Sequence, residues 1–165
     1  MSFDLTHFAE EILMLKGVCV VKGDSVSGTV IFSQDEDSSP VEITAMIQGL
    51  SPGKHGISIN VFGDVTNGCT STGPHFNPLN KEHGAPGDVA RHAGDLGNVE
   101  ADQAGMAKFK LSDSVITLSG PNSIIGRAVV VYAGTDDLGR GRHENSASTG
   151  DTGARLACGV IGISS

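Results

Sequence analysis

Short runs rich in valine and isoleucine, separated by turn residues and not by helices, set the terms for this chain. Residues 16–21, 28–33, 41–48, 55–62, 98–101, 107–111, 115–118, 128–132 and 156–163 read as strands, because β-branched residues suit a pleated, half-buried surface. In 55–62 the alternation is strict: Ile57, Ile59 and Val61 point one way, Ser58 and Asn60 the other, the period of two that a strand imposes. Turn signals such as Gly23-Asp24 and the polar stretch 34–40 break the runs, since Gly, Asp, Ser and Pro supply the turn geometries. About eight short strands with no helices between them predict an antiparallel sandwich or barrel.

Two stretches do not fit that pattern. Residues 63–94 and 133–154 are crowded with Gly, Pro, Asn and His and show no usable period. Loops this long inside a compact domain are uncommon and are usually functional or tethered. A helical period occurs only at the start of the chain, where Leu5, Phe8, Ala9, Ile12 and Leu13 share a face opposite Glu10 and Glu11. So short a helix is marginal alone; it docks on something or it frays. The residues themselves show no internal repeat and no domain boundary.

Charge excludes whole classes of partner. Eleven Lys and Arg face nineteen Asp and Glu, a formal charge of −8, so electrostatics will hold the chain neither to nucleic acid nor to an anionic membrane. No apolar run approaches the roughly 18 residues of a membrane-spanning helix. The first residues lack a basic segment and carry Asp4, Glu10 and Glu11, which is not the pattern of a secretory signal and points to the cytosol. Three cysteines, Cys19, Cys69 and Cys158, are too few for a disulfide scaffold.

The first long loop contains His75, His83 and His92, followed by Asp95. Three imidazoles and a carboxylate make a complete tetrahedral set for Zn²⁺, and a loop with few core residues gains an anchor from a metal. The spacing matches no short finger motif, however, and solvated loop histidines would look the same.

A resemblance decides between these readings. GCTSTGPHFNPLNKEHGAPGDVARHAGDLGNV (68–99), SIIGRAVVV (123–131), DDLGRG (136–141) and RLACGVIGI (155–163) resemble the Cu,Zn superoxide dismutases, and the likeness runs from about Met14 to the C-terminus. It implies an eight-stranded antiparallel Greek-key barrel, built like an immunoglobulin-type sandwich, with a zinc loop and an electrostatic loop. It implies one Zn²⁺ per chain on His75, His83, His92 and Asp95, and a Cys69–Cys158 disulfide. It also implies a homodimer formed through Phe62, Gly63, Ile125, Gly126, Val160 and Ile163.

The same resemblance exposes a departure. Active members hold copper with four histidines: two in an H-G-F-H-V-H-like strand, one shared with zinc, and one ending a VVVH strand. Here the first strand reads His55-Gly56-Ile57-Ser58-Ile59-Asn60, and the later one ends Val130-Val131-Tyr132. Ser58, Asn60 and Tyr132 therefore stand at three ligand positions, and His75 alone remains. One imidazole with neutral oxygen or amide donors is a poor copper site, and a phenol with an ordinary pKa near ~10 is a weak ligand until ionised. Arg155 matches the anion-guiding arginine, Asp136 the carboxylate that orients ligand histidines, and His55 a supporting histidine of the strand. Gly134, Asn145 and Ser148 stand where many relatives carry charge, which weakens the steering field.

The expectation is a copper-free, zinc-binding homologue with no dismutase activity, one that acts through binding as a decoy or regulator of a true dismutase or its copper chaperone. The alternative is a dismutase with residual or altered activity, with copper held at His75 and Tyr132.

Overall fold

The structure, a computed structural model, describes residues 14–165; the helix expected over residues 4–13 lies outside the described residues. The strands are β1 (Leu15–Lys22), β2 (Ser27–Gln34), β3 (Val41–Gln48), β4 (Gly53–Asn60), β5 (Thr66–Cys69), β6 (Asp95–Ala101), β7 (Ala107–Asp113), β8 (Ala128–Tyr132) and β9 (Arg155–Ile163). All but β5 close into one antiparallel barrel in the order β1-β2-β3-β7-β6-β4-β8-β9, with β9 returning to β1 through Gly17 opposite Ile163 and Cys19 opposite Ile161. Two strands, β7 and β6, lie between β3 and β4, and two, β6 and β4, lie between β7 and β8. Those crossovers make the barrel a Greek key, as expected, and closure leaves no free sheet edge.

The alternating pattern explains the inside of the barrel. In β3, Val41, Ile43, Ala45 and Ile47 are buried while Glu42, Thr44, Met46 and Gln48 face out. Val30 and Phe32 of β2, Ile57 and Ile59 of β4, Val129 and Val131 of β8 and Ile161 of β9 join them in one core. Each such side chain, fully buried, contributes about 1.5–3 kcal/mol. Cys19 of β1 points into this core as a free thiol, and burial pushes it up to about 12, so it is chemically quiet.

Two strands break the one-face-out rule. From His55 to Asn60, and throughout β8, every residue is buried. Their outer faces are not in water, because the two long loops lie over them. Val130 and Tyr132 of β8 pack there with Cys158 of β9, and Cys69 packs against the group. That covered outer face is where the expected site residues gather.

The structure corrects three local expectations. Residues 115–118 do not form a strand; they carry only an isolated bridge from Thr117 to Ser123. Ile116, Leu118 and Ile124 are apolar because they plug the core, being 3%, 6% and 0% exposed. Their backbone turns on side chains instead of a neighbouring strand: Asp113 Oδ1 accepts from the amides of Val115 and Ile116, and Gln34 Oε1 accepts from that of Leu118. The first long loop is not wholly irregular either, since it contains β5 and a 3₁₀ turn at Thr70–Thr72. β6 begins at Asp95, directly after that loop and three residues before the expected strand. The second loop holds one helical turn, α1 (Ser146–Thr149). Elements of three or four polar residues leave no period to read.

A Cys69–Cys158 disulfide ties β5 to β9 with Cα atoms 5.7 Å apart across a sequence separation of 89. Closing so long a loop in the unfolded chain is worth roughly 4–5 kcal/mol in the chain-entropy account. Reduction should therefore lower the melting temperature by on the order of 10 °C, measurable by calorimetry with and without a phosphine reductant. An unchanged transition would show that the bond does not constrain the unfolded state as argued.

Candidate metal centre

His75, His83, His92 and Asp95 converge beneath the first long loop, all four buried, with donor atoms within 4.8 Å of one another. The donors are the three Nδ1 nitrogens and Asp95 Oδ1. His83 Nδ1 lies 2.8 Å from that oxygen, His75 Nδ1 3.1 Å and His92 Nδ1 3.2 Å. His75 and His92 bring their Nδ1 atoms to 3.2 Å of each other. Four donors at about 2.0–2.1 Å from zinc stand about 3.3–3.4 Å apart in a regular tetrahedron. The observed separations are close to that, so the residues fit a small tetrahedral cation such as zinc. Three ring nitrogens aimed at one carboxylate oxygen are also hard to satisfy with protons alone.

Local structure positions each donor. His75 is fixed where the loop bridges to the end of β4 at Asn60. Asp95 opens β6, and its second oxygen accepts from the amides of His92 (2.7 Å) and Gly84 (3.0 Å), which turns Oδ1 toward the cluster. His83 Nε2 meets Asp136 Oδ1 at 2.6 Å, a carboxylate–histidine arrangement that sets which nitrogen faces a metal. Asp136 is held in turn by Asn98, whose Oδ1 accepts from the Asp136 amide and whose Nδ2 donates to the Asp136 carbonyl.

The electrostatics follow from this geometry. Burial opposes ionisation of Asp95, but hydrogen bonds from the three histidines hold its carboxyl far below the usual carboxylate range. Burial alone would depress His83; Asp136 and Asp95 outweigh it and raise this imidazole to about 9. His75 moves the other way, pushed down chiefly by burial.

Ser58, Asn60 and Tyr132 are brought together as the resemblance implies, on the covered face of β4 and β8. Ser58 Oγ donates to Asn60 Oδ1 at 2.7 Å and lies 2.9 Å from the Tyr132 hydroxyl. Asn60 Nδ2 donates to the Gly73 carbonyl (2.8 Å) and Thr72 Oγ1 (3.2 Å). The three side chains thus satisfy one another and the loop, as buried polar groups must. His75 stands edge-on to Tyr132 with ring centroids 6.1 Å apart. Its Nε2 is the one buried side-chain nitrogen or oxygen among the described residues with no hydrogen-bond partner.

Arg155 donates from Nη1 to the Cys69 carbonyl and to Thr72 Oγ1, both at 3.0 Å, so it ties the disulfide loop to the barrel. It also lines, with His75, Lys81, Tyr132 and Thr152, a cleft of about 740 Å³ between the loops. His55 is spent on the barrel wall: Nδ1 is 2.8 Å from the Tyr132 carbonyl, and Nε2 is 2.8 Å from the Ser51 carbonyl and 3.3 Å from its hydroxyl.

Two supporting residues escaped the sequence reading. Arg91, 3% exposed, pairs with Asp113 at 2.6 Å and donates to the carbonyls of Pro86, His92 and Ala93. It clamps the ligand loop onto β7, and a single arginine in a loop carries no signature of that role. Gly150, at φ 74°, closes over the His83–Asp136 pair. A Cβ there would lie 2.6 Å from His83 Nε2 and collide with the Asp136 carboxylate. Gly150→Ala should therefore cost roughly 2–4 kcal/mol, from left-handed backbone strain and overpacking together, and should weaken metal retention in a chelator competition. Wild-type retention would show that the pair has room to move.

All four cluster residues and both disulfide cysteines lie within the span matched by a known family. The model for copper/zinc superoxide dismutase (SODC) covers residues 26–161, most of the barrel and both long loops. By that match the chain belongs to the copper/zinc superoxide dismutase family.

Proposed function

We propose that this protein is a zinc-holding member of the family that has given up copper, and with it dismutation, and that it works in the cytosol by binding. One observation carries the reading: Ser58, Asn60 and Tyr132 are hydrogen-bonded to one another, and Nε2 of His75 is left alone beside them. A redox metal needs several strong donors that tolerate both of its oxidation states. A hydroxyl, an amide and a phenol already engaged with each other do not supply them. The intact tetrahedral set and its Asp136 support favour zinc as the retained ion, where it holds the loop and has no accessible redox state.

A binding role is supported by the surface. Phe62, Val160 and Ile163 are 55%, 41% and 82% exposed, and with Gly63, Ile125 and Gly126 they offer an apolar face suited to a second copy. The same face would serve to engage a true dismutase or its copper chaperone as a decoy or regulator.

The competing reading, an altered dismutase with copper on His75 and Tyr132, has their proximity in its favour. Against it, burial pushes the Tyr132 phenol further from its ionised, ligating form. Metal content and activity separate the two. The protein isolated from its source should carry about one zinc and negligible copper per chain, and added copper should give no superoxide turnover beyond that of the free ion. Turnover well above the dissolved metal would sink the proposal and install the Tyr132 reading.

A further inference from the structure

The outer face of β1, β2, β3 and β7 carries a charge opposite in sign to that of the whole chain. Alternation turns Lys16, Lys22, Lys108 and Lys110 outward there, all exposed, with Glu42 as the one outward carboxylate. Four of the chain's six lysines thus stand against one glutamate, a local +3 on a chain of −8. Among the described residues no carboxylate forms an ion pair with any of these lysines, and Glu42 accepts from Ser112 Oγ at 2.7 Å. Asp24, Asp102 and residues 35–37 lie in turns beyond the strand ends. The centre of the face is apolar. One row runs Val20, Thr29, Met46, Lys108 across the four strands, and the next runs Val18, Ile31, Thr44, Lys110. Val20, Ile31 and Met46 are 64%, 48% and 51% exposed. With neighbouring strands about 4.8 Å apart, the rows span about 14 Å, aliphatic at one edge and cationic at the other.

We infer that this face docks an acidic segment of a partner protein, whose aliphatic side chains cover Val20, Ile31 and Met46 while its carboxylates meet the four lysines. Charge complementarity selects that occupant. Charges act over about 8 Å at physiological salt, so a short segment meets only the local +3. An anionic membrane is extended and meets the field of the whole acidic chain, which repels it. Nucleic acid is a poor match as well, since the face offers no aromatic side chain on which a base could stack. Barrel closure leaves no free edge, so the segment is held by side chains and not by strand addition. Met46, unbranched and polarizable, suits a contact that must adapt to its partner.

This surface is separate from the pairing face around Phe62 and Ile163. It stands whether or not the chain pairs with a second copy, and whether or not it holds copper.

Titration of the full chain with short labelled peptides, followed by fluorescence anisotropy and by amide shifts in NMR spectra, tests the inference. A peptide in which leucine alternates with glutamate should bind and shift the amides of β1, β2, β3 and β7. Peptides with lysine for the glutamates, or serine for the leucines, should bind at least about tenfold more weakly. Affinity for the first peptide should fall as salt rises. In the protein, Lys108→Glu with Lys110→Glu should weaken binding at least about tenfold, and so should Ile31→Ser with Met46→Ser. These side chains point into solvent, so each double variant should keep the parent's melting temperature and amide spectrum. Absence of binding overturns the inference, as do shifts that map to another face or affinity that both double variants leave unchanged. A glutamate–serine peptide that binds as tightly as the glutamate–leucine one also overturns it, because charge alone would then be at work. Binding to vesicles of phosphatidylserine and phosphatidylcholine without binding of the peptide would give the face to a membrane instead. Self-association that Ile31→Ser with Met46→Ser abolishes would give it to a second copy.

Discussion

Replacing His83 with alanine should lower the melting temperature of the zinc-loaded protein by on the order of 10–20 °C and abolish stoichiometric zinc retention. The expectation comes from what His83 touches. Its Nδ1 is a member of the donor set, and its Nε2 holds Asp136 at 2.6 Å. Removing it leaves two buried carboxylates, Asp95 and Asp136, facing a void. Breaking one partner out of a buried ionic cluster typically costs about 3–5 kcal/mol before any metal is counted, and for a domain of this size each kcal/mol moves the transition by about 2–4 °C. Losing the ion adds to this, because metal binding free energy is folding free energy for the loop it organises. Few apolar residues anchor the stretch from Gly68 to Asp95 otherwise; Leu79 and Val89 are 58% and 88% exposed. Chelation of the wild type should reproduce the loss of loop order by faster amide exchange over residues 68–95, with the barrel strands unaffected. A purified chain with no zinc, and a transition indifferent to both chelator and substitution, would remove the metal from the account altogether.

Much of this site was legible in the sequence, for a physical reason. A metal centre is built from a few residue types whose chemistry is not interchangeable, so three histidines and an aspartate in one loop stand out even though their spacing alone left solvated histidines open. The barrel was legible through the period of two in runs such as Val41 to Gln48. What escaped was structure without a period. Residues 115–118 resemble a strand in composition because a plug at the barrel's end needs the same apolar residues as its wall; only the side-chain acceptors Asp113 and Gln34 reveal the difference. Arg91 and Gly150 act through positions in space, a buried clamp and a tight approach, and neither leaves a mark beyond one residue. The all-buried β4 and β8 show a related limit. Alternation alone puts Ser58 and Asn60 on the face opposite Ile57 and Ile59 and does not say what covers it; they are 2% and 0% exposed because distant loops fold over them.

That covered face makes the second large effect specific. The triple change Ser58→His, Asn60→His and Tyr132→His should give a protein that binds one copper per chain, with affinity raised over the parent chain by more than about 100-fold, since changes merely outside a ligand shell move metal affinity by 10–100-fold. The three positions already lie on one face around His75, whose Nε2 has no partner, and Asp136 and Arg155 keep their places beside it. The changes must come together. Ser58→His alone inserts a ring into a filled cluster and breaks its hydrogen bonds to Asn60 and Tyr132, leaving buried polar groups unpaired at about 1–3 kcal/mol each. Tyr132→His vacates part of the volume that the other two rings need. Without metal, the triple variant should be less stable than the wild type, because its new imidazoles lose the mutual bonding of the residues they replace. Copper should restore the transition, and that recovery reads binding independently of turnover. Measurable dismutase activity should accompany it, below that of active relatives because Gly134, Asn145 and Ser148 leave the steering field weak. If the triple variant folded but bound no copper, the three missing histidines would not be what decides copper binding in this chain, and the proposed loss of copper would have to be sought in the loops that roof the cleft.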